Sequence, residues 1–185
     1  MQYPVEWDRL GDYLYGRDGV IVLPYLPFND TWSLSDAMMT HLFGLAHQGR
    51  HLQRTLRRHS FSEPESWRLF WQQPNNHLCV LFDEQGNPLV MAWYDIYWPD
   101  SILVHFMGFK SALGEKVRRA GHVMLSAWYD VLPWVLMIRG EIPTDNRLAL
   151  RYVRELGFQT AGQLPGIGPD QVGLTLVYHR RVEHG

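Results

Sequence analysis

The 185 residues predict an α/β chain, with a central twisted mixed sheet of about seven strands flanked by about four helices, in one domain over 1–185. Three observations predict it. Short β-branched runs bounded by Gly, Pro and Asn recur along the chain, amphipathic stretches at helical spacing lie between them, and the second half alternates strand, helix, strand and helix. The length suffices for a core without metal or disulfide staples, and no repeat or low-complexity linker divides it.

The first strand is "GVIVLPYL", residues 19–26. A helix over 32–47 follows, capped by Asn29, Asp30 or Thr31, with Leu34, Met38, Leu42 and Leu45 at helical spacing. Ser62 opens a short helix that has Pro64 in its first turn and closes before Pro74. Residues 77–98 read as a hairpin turning through 83–87, and "SILVHFMGF", 101–109, as a buried central strand. A helix starts near Gly121, turns Val123, Ala127 and Leu132 inward, and ends at Pro133. "WVLMIRGEI" is the next strand. "NRLALRYVREL" is a helix with Leu148, Tyr152 and Leu156 on one face and Gly157 as its stop, and two strands close the chain.

Seventeen Lys and Arg against nineteen Asp and Glu leave a formal charge of −2, so nothing global favours a nucleic-acid partner and any anion site is local. The single cysteine, Cys79, excludes an internal disulfide, fits a reducing, cytoplasmic setting and reads as core filler. No apolar run of signal-peptide length stands at the N-terminus and no stretch approaches a membrane span, so no membrane partner is expected. Aromatic residues cluster in "MAWYDIYWPD", 91–100, where they fill a core or line a groove. Residues 50–60 carry four arginines and two histidines without an acid, a solvated face or a surface for an acidic partner or nucleic acid. His47 and His51 are at i, i+4, but Gly49 intervenes and no carboxylate is near, so no metal is expected.

The element order, with Asn146, Ala149, Leu156, Gly157 and Phe158 spaced as N-x2-A-x6-L-G-F, resembles the GNAT N-acetyltransferase superfamily. The resemblance implies direct transfer of an acetyl group from acetyl-coenzyme A, as cosubstrate, to the amine of an unidentified acceptor in a ternary complex. It also implies a pyrophosphate-gripping segment, Q/R-x-x-G-x-G/A, after the central strand. "RRAGHV" matches it best, making Arg118, Arg119, Ala120, Gly121, His122 and Val123 the coenzyme-binding candidates, with Lys116 adding charge. A helix N-terminus there would offer unpaired amides to phosphate, and Gly121 would let it approach the backbone. The central strand should splay and present the backbone of 104–109, Phe106, Met107 and Gly108 included, to the pantetheine arm. Asn146 is either a coenzyme contact or a helix cap.

An amine attacks only when neutral, which for a lysine-like group costs roughly 4.6 kcal/mol at pH 7 and for an α-amine about 1 kcal/mol. His105, Glu141 and Asp95 are the candidate bases, imidazole having the reference value nearest neutrality. Many family members protonate the departing thiolate with a tyrosine seven residues after the matched Asn. Val153 holds that position here, and Tyr152, one residue earlier, is the candidate acid. The alternative reading is a catalytically weak or inactive binding protein on the same fold, and a second copy of the chain is an allowed partner.

Overall fold

A computed structural model describes residues 5–26, 33–48, 61–73, 76–110, 112, 114–166 and 172–181. One sheet runs through it: β1 (Val20–Pro24), β2 (His77–Asp83), β3 (Pro88–Trp98), β4 (Ser101–Gly108), β5 (Met137–Pro143), β6 (Gln159–Leu164) and β7 (Leu174–Arg180), in the order β1-β2-β3-β4-β5-β7-β6. All pairs are antiparallel except β4 with β5, which is parallel because a helix crosses over between them.

Five α-helices lie among the described residues: α1 (Gly11–Leu14), α2 (Asp36–Gln48), α3 (Pro64–Trp71), α4 (Glu115–Val131) and α5 (Arg147–Glu155). The expected strand and helix order is thus present, with one addition at the front. A 3₁₀ turn at Trp7–Leu10 runs into α1, and together they bury Leu10 and Tyr13. Two helical pieces of four residues each show no periodicity that a sequence window can detect.

Strand alternation divides the core into two layers. Ala92, Tyr94, Ile102, Val104 and Ile138 face α1, α4 and α5, together with Val123, Trp128, Val153 and Leu156. Met91, Trp93 and Met107 face α2 and α3, together with Met39, Leu42, Phe43, Trp67 and Trp71. Cys79 is buried core, as expected, and burial pushes its thiol up to about 12.

Several boundaries move for identifiable reasons. α2 starts at Asp36 and turns Met39, Leu42, Phe43 and Ala46 inward, leaving Met38 exposed. Leu34 is buried ahead of the helix, so counting from it misplaced the face. The N-cap of α3 is Glu63, with Pro64 at the first helical position. On α5, Leu148 points outward at 82% exposure while Val153 and Leu156 are buried. Gly157 has φ 89° and stops α5 as expected, with Phe158 N–H donating to Val153 O at 3.0 Å. Asn29, Asp30, Thr31, Pro74, His51 and the basic run 50–60 lie outside the described residues.

Candidate active site

The strand that leads into α4 opens the sheet. β4 pairs with β5 only at Ser101↔Met137, Ile102↔Ile138 and Leu103↔Arg139, while it pairs with β3 along its whole length. From Val104 onward the two strands part, and the backbone of 104–108 on that side has no strand partner. This splay is on the strand where the family resemblance implies one, and it opens between the carboxyl ends of two parallel strands, where α/β sheets bind ligands. The N-termini of α4 and α5 both follow those ends.

The start of α4 differs from expectation. The helix begins at Glu115, after Gly114 at φ 63°, and its first helical bond runs from Arg118 N to Gly114 O at 3.2 Å. Arg118, Arg119, Ala120, Gly121, His122 and Val123 are therefore inside the helix, with their amides committed to its ladder. The uncommitted amides are those of Glu115, Lys116 and Val117, since no side chain caps the helix. Gly114 has a positive φ suited to glycine and open space where a Cβ would be, so an anion can approach the backbone there. Laid on the family pattern, Gly114 fits its glycine, while Ser111 and Lys116 stand where Gln/Arg and Gly/Ala are expected.

Gly121 has another role. A Cβ on it would overlap Tyr152 Oη and lie 2.7 and 2.8 Å from the two δ carbons of Leu156. The glycine lets α5 approach α4 closely. Ala120 and Val123 are buried on the same inner side. The basic side chains nearby already have partners: Lys116 Nζ with Asp83 Oδ2 at 3.1 Å, Arg118 Nε with Glu115 Oε2 at 2.9 Å, and Arg119 Nη1 with Asp18 O at 3.3 Å. A bound anion would compete with them.

Asn146 is the N-cap of α5, its Oδ1 accepting from Ala149 N at 3.2 Å, and it remains exposed. Tyr152 donates its hydroxyl to Val117 O at 3.1 Å, and burial raises its pKa well above the usual tyrosine value. Its ring meets Phe106 of β4 edge-on at 6.1 Å. Val153, at the family's acid position, is core. The offset the sequence showed thus moves the tyrosine off that position and onto the joint between α5 and the first turn of α4.

On the opposite face of β4, His105 and Asp95, two separate candidates in the sequence, form one couple. His105 Nε2 and Asp95 Oδ2 are 3.1 Å apart, and the imidazole stacks on Trp93 at 5.1 Å and 15°. Trp93 is itself met edge-on by Trp71 of α3 at 5.3 Å. The couple arises from register: Trp93 is directly across from His105, and Asp95 is two residues further along the same face of β3. The His105 side chain is 32% exposed, within reach of solvent. Glu141, on β5, is exposed on the same face of the sheet, across the splay.

The arrangement fits an acyl-coenzyme A on two counts: a strand-lined cleft for an extended arm, and an uncapped, glycine-entered helix N-terminus for its phosphates. Among the described residues no three His, Cys, Asp or Glu side chains gather as a metal site, and no helix is long and apolar enough to cross a membrane.

No family model and no curated protein matches the chain. Solved structures do. The spermidine N-acetyltransferase from Vibrio cholerae, in complex with CoA and spermine, aligns at TM-score 0.71 and 13% identity over 89% of this chain and 96% of its own. The ribosomal-protein-S5-alanine acetyltransferase from Vibrio fischeri aligns at 0.69 and 15% over 89% and 94%. An acetyltransferase of the GNAT family from Bacillus anthracis aligns at 0.66 and 10% over 88% and 95%. With this sheet order, the parallel β4/β5 splay and the crossover helix between them, the chain has the fold of the GNAT N-acetyltransferases.

Proposed function

We propose that the chain transfers an acetyl group from acetyl-coenzyme A to a primary amine by direct attack in a ternary complex. The observation that carries this reading is the His105–Asp95 couple on the bank of the β4/β5 splay. A neighbour of the same fold, solved with CoA and spermine, supports the same two ligand classes.

The thioester supplies the acetyl group. On the protein side, residues 104–108 offer backbone hydrogen bonds to an extended arm, and the amides of Glu115, Lys116 and Val117 take phosphate oxygens at the positive end of α4. Asn146, while capping α5, presents its remaining amide group at the second helix N-terminus. Asp95 can only accept, so it fixes the proton on His105 Nε2 and leaves the lone pair on Nδ1. That lone pair takes the proton of the incoming amine, and Asp95 stabilises the imidazolium that results. The couple favours His105 over Glu141 as base, because Glu141 has no group orienting it among the described residues.

Tyr152 is a poor proton donor for the departing thiolate. Its buried hydroxyl already donates its proton to Val117 O rather than to the cleft. We assign it to positioning α4, with solvent protonating the thiolate.

Release of free thiol from acetyl-coenzyme A across a panel of amines tests the reading. His105→Gln should lower kcat by about 10²- to 10⁴-fold. Full activity in that variant would remove His105 as base. Binding of acetyl-coenzyme A with no release for any amine would favour the non-catalytic alternative.

A further inference from the structure

The amine side of the splay has a charge pattern of its own. Continuing the parallel register two residues past Leu103 and Arg139 sets Glu141 level with His105, on the opposite bank. Its carboxylate is exposed and has no hydrogen bond or ion pair among the described residues. Asp95 stands on β3, across His105 from the splay, with its side chain 52% exposed and one oxygen on His105. Two cations share this face further from His105: Arg139, which has a partner of its own, and Arg180, whose guanidinium lies over the Tyr178 ring at 5.7 Å. A carboxylate thus stands on the strand to either side of His105, Asp95 on β3 and Glu141 on β5.

We infer that the acceptor is a primary alkylamine of lysine-like basicity, which arrives as an ammonium ion and is held by the carboxylate of Glu141 while His105 Nδ1 takes its proton and Asp95 balances the imidazolium from Nε2. The inference rests on the transfer reading above and names the substrate class for it. Such an amine is neutral in only about 1 molecule in 2,500 at pH 7, whereas a peptide α-amine is neutral in about 1 in 7. An oriented imidazole is needed by the first and scarcely by the second. In the step a C–N bond forms and the C–S bond of the thioester breaks. The ammonium loses two protons, one through His105 to solvent and one ending on the thiol.

Initial rates of thiol release at saturating acetyl-coenzyme A decide it, with Nα-acetyl-lysinamide and 1,4-diaminobutane compared with an alanine-initiated peptide. The alkylamines should exceed the peptide in kcat/KM by at least about tenfold. Glu141→Gln should raise the alkylamine KM roughly fivefold, the upper end for an exposed ion pair, while leaving the KM for acetyl-coenzyme A unchanged. Faster turnover of the peptide, or an alkylamine KM unmoved by Glu141→Gln, overturns the inference and leaves the transfer reading standing. Release with no amine at all overturns both.

Discussion

Gly121 shows how one residue can be read correctly as constrained and wrongly as to cause. A glycine before a helical run suggests a backbone that a phosphate must approach, but what approaches it is Tyr152. Gly121→Ala should therefore cost about 1–3 kcal/mol by overpacking, lowering Tm by several degrees in a chain of 185 residues. Tyr152→Phe deletes the oxygen that the new methyl would strike. In that background Gly121→Ala should cost measurably less, a coupling read from a double-mutant cycle of urea midpoints. Tyr152→Phe alone should lose about 0.5–1.5 kcal/mol with the bond to Val117 and keep turnover within about threefold of wild type. A drop in turnover by two orders of magnitude or more, the range of a lost general acid, would return Tyr152 to an acid role.

Two other residues set a pH limit on stability. Burial lowers the pKa of His77, against the opposing pull of Asp95, and lowers that of His179, with His122 acting in the same direction. Folding therefore releases protons from both imidazoles. Their contribution is fully present above about pH 6.5 and is lost as pH falls from there through their depressed folded-state values. His77→Phe, which preserves a ring to stack on Tyr94, should flatten the fall of Tm between pH 7 and pH 5, as followed by circular dichroism.

Among the elements, what was legible depended on length and periodicity. The strands were recognisable because apolar, β-branched runs sit between Gly and Pro punctuation, and all seven are in the expected order. α5 was legible through its cap, its buried Leu156 and its Gly157 stop. The four-residue turns at Trp7–Leu10 and Gly11–Leu14 were not, because nothing of that length carries a period. The start of α4 was missed because a Gly-containing basic segment one to two turns inside the helix imitates a phosphate loop. Gly114 is where that element can be tested. Gly114→Val forces a β-branched residue to φ 63° and ψ −127°, so it should lose about 1–3 kcal/mol of stability and weaken acetyl-coenzyme A binding by tenfold or more, measured by titration. Unchanged affinity would place the phosphates elsewhere.

At the scale of the molecule, strand order and the parallel β4/β5 pair set the site more than any motif does. The sequence named His105, Asp95 and Glu141 individually, but nothing in their spacing showed that a cross-strand diagonal joins the first two or that the third lies over the splay. Those relations are products of register, which spans residues 95 to 141 and has no local signature. The layer of α2 and α3 was legible as helices, and its aromatic contact with His105 through Trp71 and Trp93 was not.

The central claim is that the β4/β5 splay and the amide end of α4 together bind an acyl-coenzyme A. Calorimetric titration of the wild-type chain with acetyl-coenzyme A tests it most directly. The account predicts saturable binding at one site per chain with a micromolar dissociation constant, weakened tenfold or more by Gly114→Val and little changed by His105→Gln. No detectable heat up to millimolar ligand, with a thermal midpoint that ligand does not raise, would contradict it.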